Sequence, residues 1–230
     1  MQRSEINALI RKAERFFNTM RFHLPCWAYW GPQQWRTATD DHAEVFDRML
    51  GWDITDFGSG DFLRKGLLLF TIRNGRPGPG NKPYAEKIMI VEENQETPMH
   101  FHWNKMEDII NRGGGDLVIE LYNSTDDGAF AQTGVAVSVD GAVRRVPAGG
   151  SVTLTPGESI CLVPGLYHRF YGKTGKGTVL VGEVSMVNDD ASDNRFYEET
   201  GRFPKIEEDA EPYRLLVSDY KKYVGTFDSR

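Results

Sequence analysis

The sequence has few cysteines and no concentration of positive charge. Its two cysteines, Cys26 and Cys161, are far apart and form no C-x-x-C pair, which excludes a disulfide-rich scaffold and a thiolate metal site. The chain carries 27 lysines and arginines against 33 aspartates and glutamates, a formal net charge of −6 at pH 7. Because no basic block stands out, the sequence lacks the electrostatic footprint of a nucleic-acid-binding protein.

Long apolar runs are missing as well. No stretch approaches the length that a membrane-spanning helix needs. The first residues, MQRSEINALIRKAERFF, are charged and amphipathic, without the apolar region and small-residue cleavage site of a secretory signal. We therefore expect a cytoplasmic protein that has neither a membrane nor a nucleic acid as its partner.

Hydrophobic periodicity predicts helices near the start of the chain. Apolar residues at helical spacing predict a helix over residues 4–20, which Ser4 can cap. A second, short helix is expected over residues 41–50, with Gly51 as its stop. The segment 25–35 between them, PCWAYWGPQQW, carries three tryptophans, so we expect an ordered arm that packs on another surface rather than a solvated linker.

The pattern changes from residue 66 onwards. Short β-like runs alternate with turn signals, which favours a sandwich or barrel, and Asp140-Gly141 in VAVSVDGAVRRV is typical of a hairpin turn. The polar, acidic tail contains aromatic and leucine anchors, and we expect it to wrap the barrel. The predicted organisation is one globular domain made of an N-terminal helical and aromatic arm, a barrel, and a C-terminal extension, residues 1–65, 66–187 and 188–230 respectively.

The chemistry is concentrated in TPMHFHWNKMED, residues 97–108. In a strand, His100 and His102 point to the same face and make half of a chelating site. Glu107 follows at a distance that lets the chain return a carboxylate, and His168 follows a later Pro-Gly corner. Three imidazoles and one carboxylate leave coordination positions open, which suits Mn, Fe, Co, Ni or Zn in a catalytic role.

These positions resemble the two motifs of the cupin superfamily. The first motif, H-x-H-x4-E-x6-G, fits residues 100–114, and the second fits residues 157–168 through two glycines and a histidine. Asn94 stands where the first motif begins with glycine, Pro164 is one position displaced, and Gly172 occupies a common asparagine position. These departures affect turns and leave the four candidate ligands intact.

A longer string is similar to the D-lyxose isomerase family of cupin-type sugar isomerases. It begins with TPMHFHWNKMEDIINRGGGDLVIELY and continues through VPGLYHRFYG, GEVSMVNDD and GRFPKIEEDAEPYRLL. The resemblance implies a mainly β, jelly-roll barrel with N-terminal helices and a C-terminal wrapping tail. It further implies a Mn²⁺-dependent interconversion of D-lyxose and D-xylulose, with D-mannose and D-fructose as secondary substrates. Because cupin barrels often pair through terminal arms, we expect a homodimer, with segment 25–35 as an interface.

An aldose–ketose isomerase also needs an acid and a base near the metal. We rank Lys105 and Asp190 as catalytic candidates, and Lys87 and Arg214 as substrate-binding candidates. Each has a structural alternative: Lys87 as a salt-bridged strand residue, Asp190 as a turn residue, and Arg214 as a surface or interface residue. Further possible bases are Glu183, which a buried cation could instead neutralise, Glu198 and Glu199.

Two other functions fit a cupin with this ligand set. One is a dioxygenase, in which ferrous iron activates oxygen, although Lys105 would be unusual there. The other is a non-catalytic sugar-binding cupin, although the sequence offers no helix-turn-helix segment to make such a protein a DNA-binding regulator. Oxygen uptake separates the first alternative from an isomerase, and turnover separates the second.

Overall fold

The computed structural model describes residues 1–187, 193–201 and 204–224, and the candidate Asp190 lies outside them. The helices are α1 (Arg3–Thr19), α2 (Pro32–Trp35), α3 (Ala43–Asp47) and α4 (Tyr220–Tyr223), with 3₁₀ helices at Cys26–Tyr29, Asp40–His42 and Val217–Asp219. The strands are β1 (Gly51–Thr55), β2 (Leu67–Asn74), β3 (Tyr84–Val91), β4 (Glu96–His102), β5 (Glu107–Gly114), β6 (Leu117–Asn123), β7 (Val135–Val139), β8 (Ala142–Val146), β9 (Ser151–Leu154), β10 (Ser159–Leu162), β11 (Leu166–Gly172), β12 (Val179–Met186) and β13 (Asn194–Phe196).

The strands form two antiparallel sheets. The larger sheet has the order β1-β2-β3-β12-β5-β10-β7-β8, and the smaller has the order β13-β4-β11-β6-β9. The hairpin predicted at Asp140-Gly141 is confirmed, because β7 pairs with β8 across these two residues and both have positive φ. The prediction of a mainly β protein is therefore correct, and the sheet order decides which side chains meet.

The main core lies between the two sheets. Alternate residues of the larger sheet, such as Met89 and Val181, pack against Ile119, Leu121 and Phe170 of the smaller one. Alternation along a strand sends every second side chain to this interior, as expected for packed sheets. Polar residues that share the inward face are consequently buried, and the candidate site occupies this position.

Helix α1 covers the other face of the larger sheet. Its apolar stripe, including Ile10 and Phe17, packs on Trp52 and Phe70 in a second core cluster. The predicted helix is confirmed, but its N-cap is Gln2 rather than Ser4. Ser4 lies within the first turn and binds a carboxylate of the tail instead, its hydroxyl donating to Asp209 at 2.6 Å.

The segment before residue 66 is integrated into the fold. The helix expected over residues 41–50 is confined to α3 and the preceding 3₁₀ turn, and it ends where Met49 takes a positive φ, before Gly51 starts β1. Strand β1 pairs with β2 at the edge of the larger sheet. Trp35 of the aromatic segment is buried against Tyr220 from the tail. The division of the chain at residues 65 and 187 stays a prediction.

The tail contacts the N-terminal helix. The guanidinium of Arg3, which is fully buried, donates to Asp219 at 2.8 and 2.9 Å and to Glu208 at 2.8 and 2.9 Å. Strand β13 pairs with β4, the strand that carries two of the candidate ligands. Within the described residues, no helix combines the length and apolar character that crossing a membrane requires.

Candidate metal centre and its cavity

The four predicted ligands meet between the two sheets. His100 and His102 project from β4, and His168 projects from the neighbouring β11, where it is the direct register partner of His100. Glu107, the first residue of β5, approaches from the opposite sheet. One ligand atom from each residue lies within 4.8 Å of the others, and all four side chains are buried.

The ligand atoms face one another, and several imidazole nitrogens of the group have no hydrogen-bond partner in the part of the chain that the structure describes. Glu107 Oε1 lies 3.1 Å from His168 Nε2 and 3.4 Å from His102 Nε2. Among the described residues, both ring nitrogens of His102 and Nε2 of His168 are buried and have no hydrogen-bond partner. Buried polar atoms are costly when unsatisfied. A divalent cation would satisfy the two Nε2 atoms, so the residues present fit a metal with nitrogen and oxygen ligands.

Backbone carbonyls orient two of the imidazoles. His100 Nδ1 lies 2.8 Å from the carbonyl oxygen of Pro98, and His168 Nδ1 lies 2.9 Å from that of Leu166. A carbonyl can only accept, so Nδ1–H is the donor in both rings and the lone pair resides on Nε2. Both rings therefore present the correct nitrogen for a metal.

Two lysines and a second carboxylate lie beside the ligand group. Lys105 Nζ, on the turn between β4 and β5, is 2.6 Å from Glu107 Oε2 and 3.1 Å from Glu183 Oε1. Lys87 Nζ is 3.2 Å from the same oxygen of Glu183, whose hydrogen bonds also include one from the Ser185 hydroxyl at 3.0 Å. Lys87 and Glu183 are register partners on β3 and β12. The sheet thus assembles a charged cluster within an otherwise apolar interior.

Burial and these charges set the protonation states. Burial, followed by the neighbouring His168 and His102, lowers the pKa of His100 well below its usual value, and burial also lowers that of His102 despite the opposing effect of Glu107. Burial alone would raise the pKa of Glu107, but the Lys105 ammonium, followed by the adjacent imidazoles of His102 and His168, holds this pKa well below its ordinary range. Neutral imidazoles and an ionised carboxylate are the forms that bind a metal.

A cavity of about 440 Å³ opens onto the cluster. Its size suits a small-molecule ligand. Phe196 of β13 forms part of the wall and stacks on the ring of His100, with centroids 5.2 Å apart. The lining combines charged groups of the cluster with apolar and hydroxyl-bearing side chains: Asp53, Thr55, Phe57, Leu67, Leu69, Lys87, Met89, Thr97, His100, His102, Lys105, Glu107, Ile109, Phe170, Glu183, Asn194, Phe196, Thr200 and Gly201.

Not every predicted site residue reaches this cavity. Arg214 donates to Glu14 of α1 at 2.8 Å and stacks on the Tyr213 ring, and it is not among the lining residues. Glu198 is exposed and lies 3.5 Å from Lys65, and Glu199 is exposed as well. The structure brings Lys87, Lys105 and Glu183 to the ligand group but does not bring Arg214, Glu198 or Glu199 to it.

The structure also places a carboxylate at the site that sequence patterns missed. Asp193 precedes β13 and accepts hydrogen bonds from the backbone of Asn104 and Lys105, at 2.8 and 3.2 Å. It is the third aspartate of the polar stretch NDDASD, where no periodicity distinguishes it from its neighbours. The missing signal was the pairing of β13 with β4, which places Asp193 beside the turn.

The family is settled by sequence similarity along nearly the whole chain. A model of the D-lyxose isomerase family matches residues 1–220. The chain belongs to this family. It is 51% identical over 228 residues to the D-lyxose/D-mannose isomerase of Serratia proteamaculans, covering 98% of this chain and all of that protein. It is 48% identical over 226 residues to the D-lyxose/D-mannose isomerase of Escherichia coli O157:H7, covering 97% of this chain and all of that protein.

Solved structures agree with the fold. The L-ribose isomerase of Cellulomonas parahominis with L-ribose superposes with a TM-score of 0.58 at 17% identity, covering 90% of this chain and 98% of that one. The L-ribose isomerase of Acinetobacter sp. DL28 in complex with L-ribose gives 0.56 at 14% identity, covering 97% of each chain. These are cupin-fold sugar isomerases, and the expected cupin fold is confirmed. Its family membership and its relatives at about half identity make this chain an isomerase, and the solved structures show that it is built on a cupin barrel.

Proposed function

We propose that the protein is a metal-dependent aldose–ketose isomerase that interconverts D-lyxose and D-xylulose, with D-mannose and D-fructose as secondary substrates. The observation that carries this proposal is a group of four buried, potentially metal-ligating side chains beside the Lys105–Glu183 pair, at the wall of one cavity that three of the four line. The names of the two relatives at about half identity support the choice of sugars.

His100, His102, Glu107 and His168 would hold the metal, which we propose to be Mn²⁺. Three imidazoles and a carboxylate accept several divalent ions, and the choice of Mn²⁺ follows from the family resemblance. A metal held there would supply Lewis-acid chemistry, polarising a carbonyl and stabilising negative charge on oxygen.

Glu183 is our candidate for the group that moves the proton. Burial would raise its pKa, but the ammonium groups of Lys105 and Lys87 hold the pKa of Glu183 below its ordinary value, so the carboxylate is ionised at neutral pH. The Glu183 carboxylate can remove the proton from C2 of the open-chain aldose. The electron pair of the broken C2–H bond then forms the C1=C2 bond of an enediol, and O1 gains a proton. Loss of the O2 proton and return of the Glu183 proton to C1 give the ketose.

The lysines have separate tasks in this scheme. Lys105, held between Glu107 and Glu183, donates a proton to O1 and accepts the proton that O2 releases. Lys87 lines the cavity on the far side of Glu183, where it orients that carboxylate and donates to a sugar hydroxyl. We therefore propose a substrate-binding role for Lys87 and a catalytic role for Lys105, as the sequence suggested.

We further propose a cytoplasmic homodimer. Trp35 packs within its own chain, so the aromatic segment offers less interface than the sequence suggests. Better support comes from Trp103, Met106 and Met186, which are large, exposed apolar side chains, the last two joined by a backbone hydrogen bond. Light scattering should give a dimer that Met186→Lys weakens and that Val143→Lys, an equally exposed position on β8, leaves intact. A wild-type monomer at micromolar concentration contradicts the proposal.

Turnover tests the proposed reaction. Protein stripped with chelator and reloaded with Mn²⁺ should form D-xylulose from D-lyxose, whereas the stripped protein and His102→Ala should form none. His23→Ala, which changes an exposed histidine outside the cavity, is the matched control. Metal-bound protein that forms no ketose from D-lyxose or D-mannose but consumes oxygen would instead be a dioxygenase.

A further inference from the structure

Asp193 holds the turn that carries Lys105. Its carboxylate accepts hydrogen bonds from the Asn104 backbone at 2.8 Å, the Asn104 side chain at 3.1 Å and the Lys105 backbone at 3.2 Å. Its own carbonyl accepts from the Trp103 backbone at 3.0 Å. Asp193 is almost fully buried, and the next residue, Asn194, is the register partner of His102. The carboxylate is therefore fixed between the turn and the histidine strand.

His102 differs from the other two imidazoles in its outer nitrogen. His100 and His168 each donate Nδ1–H to a backbone carbonyl, whereas His102 Nδ1 is buried without a hydrogen-bond partner among the described residues. The carboxylate oxygen Oδ2 of Asp193 lies 4.0 Å from this atom. The same oxygen accepts from the Lys105 backbone. The buried carboxylate of Asp193 therefore faces both the candidate ligand His102 and the turn that positions Lys105, the candidate proton donor.

We propose that Asp193 is a positioning residue that accepts a hydrogen bond from His102 Nδ1–H when the site is loaded, while it keeps the Lys105 turn in place. The proposal rests on the proposed function, since it assigns His102 to a metal. A carboxylate on the outer nitrogen of a ligating histidine fixes the tautomer, keeps the Nε2 lone pair toward the metal and makes that nitrogen a stronger donor. The separation of 4.0 Å has to shorten by about 1 Å to reach the length of a charge-assisted hydrogen bond.

Asp193→Asn distinguishes this role from simple capping of the turn. The amide oxygen can still accept from the Asn104 backbone, but the amide nitrogen can only donate toward His102 Nδ1. That contact favours the tautomer with the proton on Nε2. This tautomer opposes metal binding, because a metal binds the unprotonated Nε2. If Asp193 only capped the turn, Asp193→Asn would change the stability of the protein but not the tautomer of His102.

The experiment measures the affinity for Mn²⁺ and the tautomer of His102 in the full-length protein. Free Mn²⁺ is followed by electron paramagnetic resonance, and long-range ¹H–¹⁵N spectra of Zn²⁺-loaded protein report which ring nitrogen is protonated. Asp193→Asn should bind Mn²⁺ roughly 10–100-fold more weakly, and its His102 signal should lose the Nδ1–H pattern. The Nδ1–H signals of His100 and His168 in the same spectra report that the variant is folded.

Two further variants serve as controls. Asp140→Asn changes a carboxylate that also caps a turn, through Ser159, but lies outside the cavity, and it should leave the affinity and the tautomer unchanged. Asn104→Ala removes a donor of the capped turn while keeping the carboxylate, and it should lower stability but preserve the His102 tautomer. Wild-type affinity and an unchanged tautomer in Asp193→Asn overturn the proposal while the isomerase stands. Failure of the wild-type protein to bind Mn²⁺ overturns both.

Discussion

The ammonium of Lys105 lies 3.1 Å from Glu183 Oε1, and the same nitrogen lies 2.6 Å from Glu107, one of the candidate metal ligands. The lysine therefore joins the proposed proton carrier to the proposed metal site. This arrangement holds the pKa of both carboxylates below their ordinary values and keeps them ionised near neutral pH. It also places a proton donor between the metal group and the base, as an enediol mechanism requires.

Glu183→Gln tests the proton carrier. The amide keeps the shape and can still accept from Lys105, but it cannot take a proton from C2. We expect kcat to fall about 10²–10⁴-fold with KM little changed, in steady-state assays with D-lyxose, while the affinity for Mn²⁺ stays close to that of the wild type. Glu86→Gln, on the outer face of the neighbouring β3, should have wild-type kcat. A Glu183→Gln enzyme of near-normal kcat would remove Glu183 from the mechanism.

Lys105→Met tests the charge that separates the two carboxylates. Without the ammonium, Glu107 and Glu183 face one another while buried, and breaking a buried ion pair in this way costs about 3–5 kcal/mol. Urea denaturation of the metal-free variant at pH 8 should show a loss of this order, together with a severe loss of kcat in the loaded enzyme. Lys65→Met, which removes two partly exposed ion pairs, with Glu96 and Glu198, should lose about 1 kcal/mol or less. Equal stability losses in the two variants would contradict the account.

Metal-free protein should become less stable as the pH falls from about 6.5. His100 and His102 have folded-state pKa values below 6.5, so in this range the unfolded chain binds protons that the folded chain excludes. The free energy of unfolding should therefore decrease with falling pH, with a slope that approaches about 1.4 kcal/mol per pH unit for each imidazole. Below about 4.5 the depressed pKa of Glu107 adds a loss of the same sign.

Chemical denaturation at several pH values between 5.5 and 8, in chelator, measures this slope. His100→Gln should reduce it, whereas His23→Gln, at an exposed position, should not. A free energy of unfolding that is flat or rises toward pH 5.5 would show that the imidazoles are not held neutral by burial.

Metal should stabilise the folded chain through the four ligands. Mn²⁺ at 100 times its dissociation constant is expected to add about 2.7 kcal/mol to the free energy of unfolding. His168→Ala should abolish this increment, whereas His42→Ala should retain it, because His42 packs on Trp30 away from the ligand group. Thermal denaturation with and without Mn²⁺ measures the difference, and an equal increment in both variants would place the metal elsewhere.

Arg214→Gln should have almost no effect on catalysis. The guanidinium is engaged with Glu14 and Tyr213, so its replacement should cost roughly 1–3 kcal/mol of stability through lost charge-assisted hydrogen bonds. Steady-state kinetics with D-lyxose should give KM and kcat within the range of the wild type. A large increase in KM would mean that Arg214 reaches the sugar, as the sequence suggested.

The features of the fold and of the site that could be predicted depend on residues close together in the chain. Two histidines on one strand face, a hairpin at Asp140-Gly141 and the amphipathic pattern of α1 follow from the period of a strand or helix and from turn chemistry. The full ligand set needed more, because His168 is far from His100 in the sequence. It was found through the spacing of a motif, and the register of β4 with β11 explains that spacing.

The parts that escaped prediction depend on strand order. The sequence named Glu183 as a possible base or the partner of a buried cation, but its contact with Lys105 arises because β12 lies between β3 and β5, which no local pattern reveals. Asp193 reaches the turn because β13 returns to pair with β4. Arg214 looked available for a substrate, yet its partner Glu14 is 200 residues away in the chain. All three positions depend on contacts between residues far apart in the chain, which hydrophobic periodicity cannot predict.

The most direct test of the central claim is to follow the isomerisation of D-lyxose in D₂O by NMR with Mn²⁺-loaded enzyme. A carboxylate that carries the proton exchanges it with solvent, so we predict deuterium at C1 of the D-xylulose formed, no product without metal and no such labelling by Glu183→Gln. D-Xylulose that retains all of the original hydrogen at C1, even after prolonged incubation, would show a direct hydride shift and contradict the proposed role of Glu183.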